Sequence, residues 1–249
     1  MPDVLDVPDE ELPPGTDDPD NEMPAQAPAD STGTGADTAA DTAADSGADT
    51  AVATPARKRP KPGERRVQIL ETLASMLEQP GADRITTAAL AARLQVSEAA
   101  LYRHFASKAQ MFEGLIEFIE SSVFTLVNQI TEREGSGAVQ AQKMVTLLLQ
   151  FGEKNPGMTR VMVGDALVFE HERLSLRMNQ FFDRLESQLR QSLRAAAEAA
   201  GSPTPTVDAQ ALASALTSLA IGRLQRYARS GFKRLPTEHL EPALHRLTT

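Results

Sequence analysis

From Gly63 onward the apolar residues recur every three to four positions, the period of a helix, and no stretch alternates as a strand would. Ile69, Leu70, Leu73, Met76 and Leu77 mark one face of a first helix, which begins near Gly63 or Glu64 and ends at Pro80-Gly81. A second helix starts at Thr86 or Thr87, either of which can cap free backbone N–H groups, and turns Leu90, Ala91 and Leu94 inward. After a turn at Gln95-Val96, Ser97 caps a third helix, with Leu101, Tyr102 and Phe105 as its apolar contacts. Ser107 opens a fourth helix over 107–133, with Gln110 as capping-box partner and a buried stripe running from Met111 to Ile130. Further helices are expected over 138–154, which stops at Asn155-Pro156-Gly157, and over Met158–Val163. A helix of about 30 residues then ends at Gly201, a linker holds Pro203 and Pro205, and helices follow over 207–230 and after Thr237. The expected fold class is all-α.

Residues 84–112, RITTAALAARLQVSEAALYRHFASKAQMF, hold two short amphipathic helices joined by a tight turn, each opened by a hydroxyl residue. That is the layout of a helix-turn-helix DNA reader. A recognition helix must bring compact side chains to base edges, and Glu98, Ala99 and Ala100 suit this. Its start at Ser97 is placed to meet a phosphate. Arg103, His104 and Lys108 lie toward the far end, in position for backbone phosphates, and Thr86, Thr87 and Arg65 complete the candidate set. Tyr102 has two compatible roles: its ring packs in the small core and its hydroxyl meets a phosphate.

Charge divides the chain. Residues 1–56 carry 14 acidic side chains and no Lys or Arg, so the whole-chain net of -9 hides a remainder with 20 acidic and 25 basic groups. With few large apolar residues, segment 1–56 is expected to be a disordered acidic tail. Residues 57–63 form a basic arm, within a run of six cations and one anion that extends to Arg66. The helix-turn-helix domain then spans 64–108 and a helical dimerisation and partner-binding domain spans 109–249. There is no cysteine, so disulfides and thiolate metal sites are excluded. No signal pattern opens the chain and no apolar run reaches membrane-spanning length, so the expected location is the cytoplasm, on the nucleoid, with no membrane partner.

The stretch Thr86 or Thr87, Leu90, Ala91, Val96, Ser97, Leu101, Tyr102, His104, Phe105, Ser107 and Lys108 resembles the signature of the tetracycline-repressor (TetR) family. The usual turn glycine is replaced by Gln95, which must take a positive φ or a different turn. The resemblance implies a TetR-like fold: an N-terminal helix-turn-helix DNA-binding domain plus a C-terminal helical dimerisation and regulatory domain. It also implies a homodimer, joined through the last long helices, that reads palindromic double-stranded DNA. SEAALYRHF, LIEFIE, FGEKNPGMTR (151–160), DALVFEHERL (165–174) and MNQFFDRLESQLRQSLR (178–194) are similar to one branch of that family, the nucleoid occlusion factors. That likeness implies a protein that, while bound to chromosomal sites, engages the C-terminal tail of the tubulin-like division protein FtsZ and blocks ring assembly, with higher-order assembly on DNA as a further feature. The partner groove is expected between the fourth and fifth helices, with Phe118, Leu147, Lys154 and Asn155 as contacts. Leu126 and Gln150 depart from the branch, which is expected to have arginine and glycine there.

No cofactor, metal or catalysis is expected. The four histidines form no H-E-x-x-H motif, and neither a phosphate-cradling glycine loop nor a G-x-S-x-G elbow occurs. Glu170-His171-Glu172 is read as a solvated helical face, because adjacent residues on a helix point apart. Two other readings keep the fold: a ligand-released repressor, which needs a closed pocket within residues 107–200, and a passive DNA-organising protein.

Overall fold

The computed structural model describes residues 63–79 and 84–248. The expected acidic tail, the basic arm before Gly63 and the helix stop at Pro80-Gly81 lie outside the described residues. In chain order the helices are α1 (Glu64–Leu77), α2 (Thr87–Leu94), α3 (Glu98–Tyr102), α4 (Lys108–Arg133), α5 (Gly137–Lys154), α6 (Pro156–Met162), α7 (Glu172–Ala199), α8 (Pro205–Arg229) and α9 (Leu240–Thr248). A 3-10 turn, Asp165–Leu167, stands between α6 and α7. Among the described residues there is no strand, as the periodicity predicts.

The polar caps decide the boundaries. Thr86, Ser97, Ser107 and Ser136 each accept a backbone N–H from the residue three positions on. The choice between Thr86 and Thr87 is thereby settled in favour of Thr86. Gln110 reaches back to the N–H of Ala106 rather than to that of the cap residue Ser107, a shifted version of the expected capping box. Two proline assignments change: Pro156 and Pro205 each occupy the first turn of a helix, α6 and α8, because that turn needs no N–H donor. Thus α6 starts before Met158, and Pro205 is not linker.

One hydrophobic cluster joins the head (α1 to α3) to the body (α4 to α9). The α4 stripe is as expected, from Met111 and Phe112 to Val123 and Val127, but Ile130 is only half-buried and Phe124 joins the core instead. Phe124 packs edge-on to Phe181, which packs edge-on to Phe182. Helices α7 and α8 run antiparallel, tied at Arg190–Gln210 and Gln210–Glu186. Head and body also meet where Gly157 of α6 lies against the backbone of Ala74 in α1, and where Arg160 donates to the Leu77 carbonyl.

Met111, Phe112, Phe124, Met144, Met178 and Phe181 fill the interior between α4, α5 and α7, and the buried polar side chains among the described residues are Thr159, Ser192 and Thr217. No helix among the described residues is long and apolar enough to cross a membrane.

Candidate nucleic-acid interface

Helix α2 ends in a left-handed residue at Gln95 (φ 55°, ψ 46°), with Val96 N–H donating to Ala91 and Gln95 N–H to Ala92. This pair of bonds closes the helix and turns the chain toward α3. The same pair closes α7, where the left-handed residue is Gly201 (φ 73°). A side chain in this conformation costs about 1 kcal/mol or more, so the missing turn glycine leaves the turn geometry intact and strains it.

From that turn α3 is short, Glu98–Tyr102, so Arg103 and His104 lie beyond its last residue. Its inner side is anchored by Leu101, which is 1% exposed, while Ala99, Tyr102, Arg103 and His104 face outward and Ala100 is half-buried. Tyr102 is 45% exposed, which corrects the expectation that its ring packs in the core; Leu101 and Phe105 fill that place instead. A half-exposed aromatic beside two exposed basic residues, on the helix following a tight turn, presents both a π-face and hydrogen-bonding groups outward.

Several candidate side chains hold one another. The Thr87 hydroxyl donates to the Glu98 carboxylate at 2.6 Å, joining the starts of α2 and α3. Arg65 donates to Gln68 at 2.8 Å. Arg66, not singled out by sequence, stacks 4.1 Å above the Phe105 ring and donates to the His104 carbonyl. It therefore pins the start of α1 to the end of α3. Lys108 departs most from expectation: its ammonium is ion-paired with Glu170, from the segment before α7, so any phosphate must compete with that carboxylate.

Between α4 and α5 lies a cavity of about 280 Å³ lined by Leu126, Ile130 and Leu147 and rimmed by Arg133, Lys143 and Glu134. Hydrogen bonds from the Lys143 ammonium and the Ser136 N–H hold the Glu134 carboxyl below its usual pKa. Of the expected contacts only Leu147 lines this cavity. Phe118 is 48% exposed, as its position off the apolar stripe suggests, but sits two helical turns before Leu126. Lys154 is exposed at the end of α5, and the Asn155 amide donates to the Phe151 carbonyl at 2.8 Å, closing that helix. Ile130 and Arg133, not expected as contacts, follow Leu126, a position where the chain departs from the branch, at i+4 and i+7, a spacing that could have found them.

Among the described residues no group of three or more His, Asp or Glu could hold a metal. Glu170 faces Lys108, and His171 Nδ1 accepts the Arg173 N–H to cap α7.

Comparison with known proteins places this geometry. Residues 69–115 match the model for bacterial regulatory proteins of the tetR family, and residues 136–249 match the SlmA-like tetracycline repressor-like C-terminal domain. Solved structures with low identity share the fold: FadR from Bacillus subtilis in complex with stearoyl-CoA (12% identical, TM-score 0.59, 74% of this chain and 97% of that one) and PfmR from Thermus thermophilus (19%, TM-score 0.59, 74% and 95%). Two relatives are much more alike. The nucleoid occlusion factor SlmA of Idiomarina loihiensis is 53% identical over 175 residues, 70% of this chain and 89% of that protein. That of Photobacterium profundum is 52% identical over 182 residues, 73% and 92%. With an intact helix-turn-helix head, a matching C-terminal domain and half its residues shared along most of those proteins, the chain belongs to the SlmA family of nucleoid occlusion factors, within the TetR fold.

Proposed function

We propose that the protein binds palindromic double-stranded DNA as a homodimer and, in the DNA-bound state, restrains FtsZ ring assembly over the chromosome. The observation that carries the DNA reading is the outward face of α3. Tyr102 and Arg103 are exposed there with no role in the core, while Leu101 and the Ser97 cap fix the helix beneath them. Ser97, Ala99, Ala100, Tyr102, Arg103 and His104 serve the groove and its phosphates; Arg65, Thr86 and Lys108 serve the flanking backbone. Thr87 and Glu98 act on each other, holding α3 against α2.

Dimerisation runs through the exposed faces of α7 and α8, where Ala211, Ala215, Ser218 and Gly222 form a stripe small enough for close helix approach. Each dimer carries two heads, which suits a site with two half-sites about one DNA turn apart. Phe118 and the Leu147-lined groove take the FtsZ tail, an apolar and charged peptide. The scarcity of buried polar side chains among the described residues, which a small-ligand pocket needs for orientation, supports this reading over a ligand-released repressor.

A genome-wide binding map tests it. Sites spread over most of the chromosome and sparse near the replication terminus are expected; a single site beside the protein's own gene would favour a local repressor.

A further inference from the structure

Three ion pairs tie the start of α4 to the start of α7 and the segment before it. Glu120 pairs with Arg177 through two bonds of 3.1 and 2.6 Å, and Glu113 pairs with Arg173 at 2.8 Å. The hydrogen-bonded Glu120 carboxylate holds the Arg177 guanidinium above its already high pKa. In both pairs the carboxylate belongs to α4 and the cation to α7. The pair nearest the head is reversed: Lys108 of α4 supplies the cation and Glu170 the carboxylate.

The reversal puts a lysine in the first turn of a long helix, where the helix dipole disfavours a cation and favours an anion. Glu170 supplies that anion. Its side chain is 9% exposed and that of Lys108 24%. The carboxylate is set in place from both sides. The Glu170 N–H donates to the carbonyl of buried Leu167 at 3.0 Å, and the next residue, His171, caps α7. Beside it, Val168 and Phe169 are 70% and 65% exposed.

We infer that Glu170 occupies the place of a DNA phosphate on Lys108, so that duplex binding and the tethering of segment 165–171 are mutually exclusive. This inference rests on the DNA reading above and adds a mechanism to it. A phosphate that takes Lys108 leaves a nearly buried carboxylate without its counter-charge, a costly arrangement. The segment then shifts to hydrate Glu170, while the Glu113–Arg173 and Glu120–Arg177 pairs keep α7 itself in register. The coupling is reciprocal: whatever holds Glu170 away from Lys108 tightens DNA binding by the same factor. Glu170 is thus a positioning residue that sets duplex affinity and passes DNA occupancy to an apolar surface segment.

The test uses the full chain and a duplex that it selects from a random pool. Affinity is measured across salt concentrations for wild type, E170Q, K108Q and the double variant. E170Q should bind about fivefold tighter, the worth of a partly screened ion pair. K108Q should lower the salt slope by about 0.9, one phosphate contact. In the K108Q background E170Q should have no effect. Amide exchange over residues 168–171 should rise in wild type when DNA is added, and should be equally fast in DNA-free K108Q, a variant that keeps this readout available if E170Q folds poorly. An E170Q gain that persists in the K108Q background, or exchange unmoved by duplex, overturns the inference while leaving the DNA reading standing. A wild type that selects no duplex overturns both.

Discussion

Gly157→Ala probes the seam that fixes the DNA head to the body. A Cβ on Gly157 would lie 2.0 Å from the Ala74 carbonyl oxygen and 2.9 Å from its carbon, against an ordinary contact of 3.4 Å or more. The obstacle is backbone inside α1, so no rotamer change relieves it, and α6 must retreat by about 1.4 Å. That retreat opens the packing around Ala74, which is 7% exposed, and stretches the Arg160–Leu77 bond, already 3.4 Å long. Overpacking of this kind costs about 1–3 kcal/mol, and the lost hydrogen bond adds about 1. Replacing a helical glycine by alanine returns at most about 1 kcal/mol. The net expectation is a loss of about 2 kcal/mol in urea unfolding followed by circular dichroism. The matched control is Gly135→Ala, where a Cβ meets nothing within 4 Å and the change should stay within about 0.5 kcal/mol. A Gly157→Ala protein within about 1 kcal/mol of wild type would refute the claim that α1 and α6 meet backbone to backbone.

Three further outcomes follow from the same geometry. Thr217→Val should stabilise the protein by about 1 kcal/mol in the same assay, because the Thr217 hydroxyl is buried without a hydrogen-bond partner; destabilisation would mean that the hydroxyl is bonded. Gly222→Ala should weaken the dimer in analytical ultracentrifugation, because a Cβ there meets nothing within 4 Å among the described residues and lies on the stripe proposed for the second copy; an unchanged dimer would move the interface elsewhere. Phe118→Ala should leave duplex affinity unchanged and abolish the effect on FtsZ polymers; if both activities survive, the partner surface lies elsewhere.

Much of the fold was legible because its signals are local. The hydroxyl caps at Thr86, Ser97 and Ser107 and the apolar period of α4 and α7 each act within a few residues. Departures arise where one residue satisfies two rules. Proline reads as a break at 156 and 205, yet it also suits a first helical turn. Tyr102 continues the apolar pattern of α3, but Leu101 and Phe105 already fill the space beneath, which leaves its ring outside. The site was legible in outline only, because its pairings are long-range. Lys108 meets Glu170 and Arg66 meets His104 across separations of 62 and 38 residues, and no sequence spacing encodes such contacts.

In the proposed function, duplex occupancy governs action on the division polymer. Sedimentation of FtsZ polymers with the purified protein tests it directly, with its selected duplex, with a scrambled duplex and with none. Pelleted polymer should fall only when the selected duplex is present. Polymer that pellets equally in all three arms, or falls equally in all three, would contradict it.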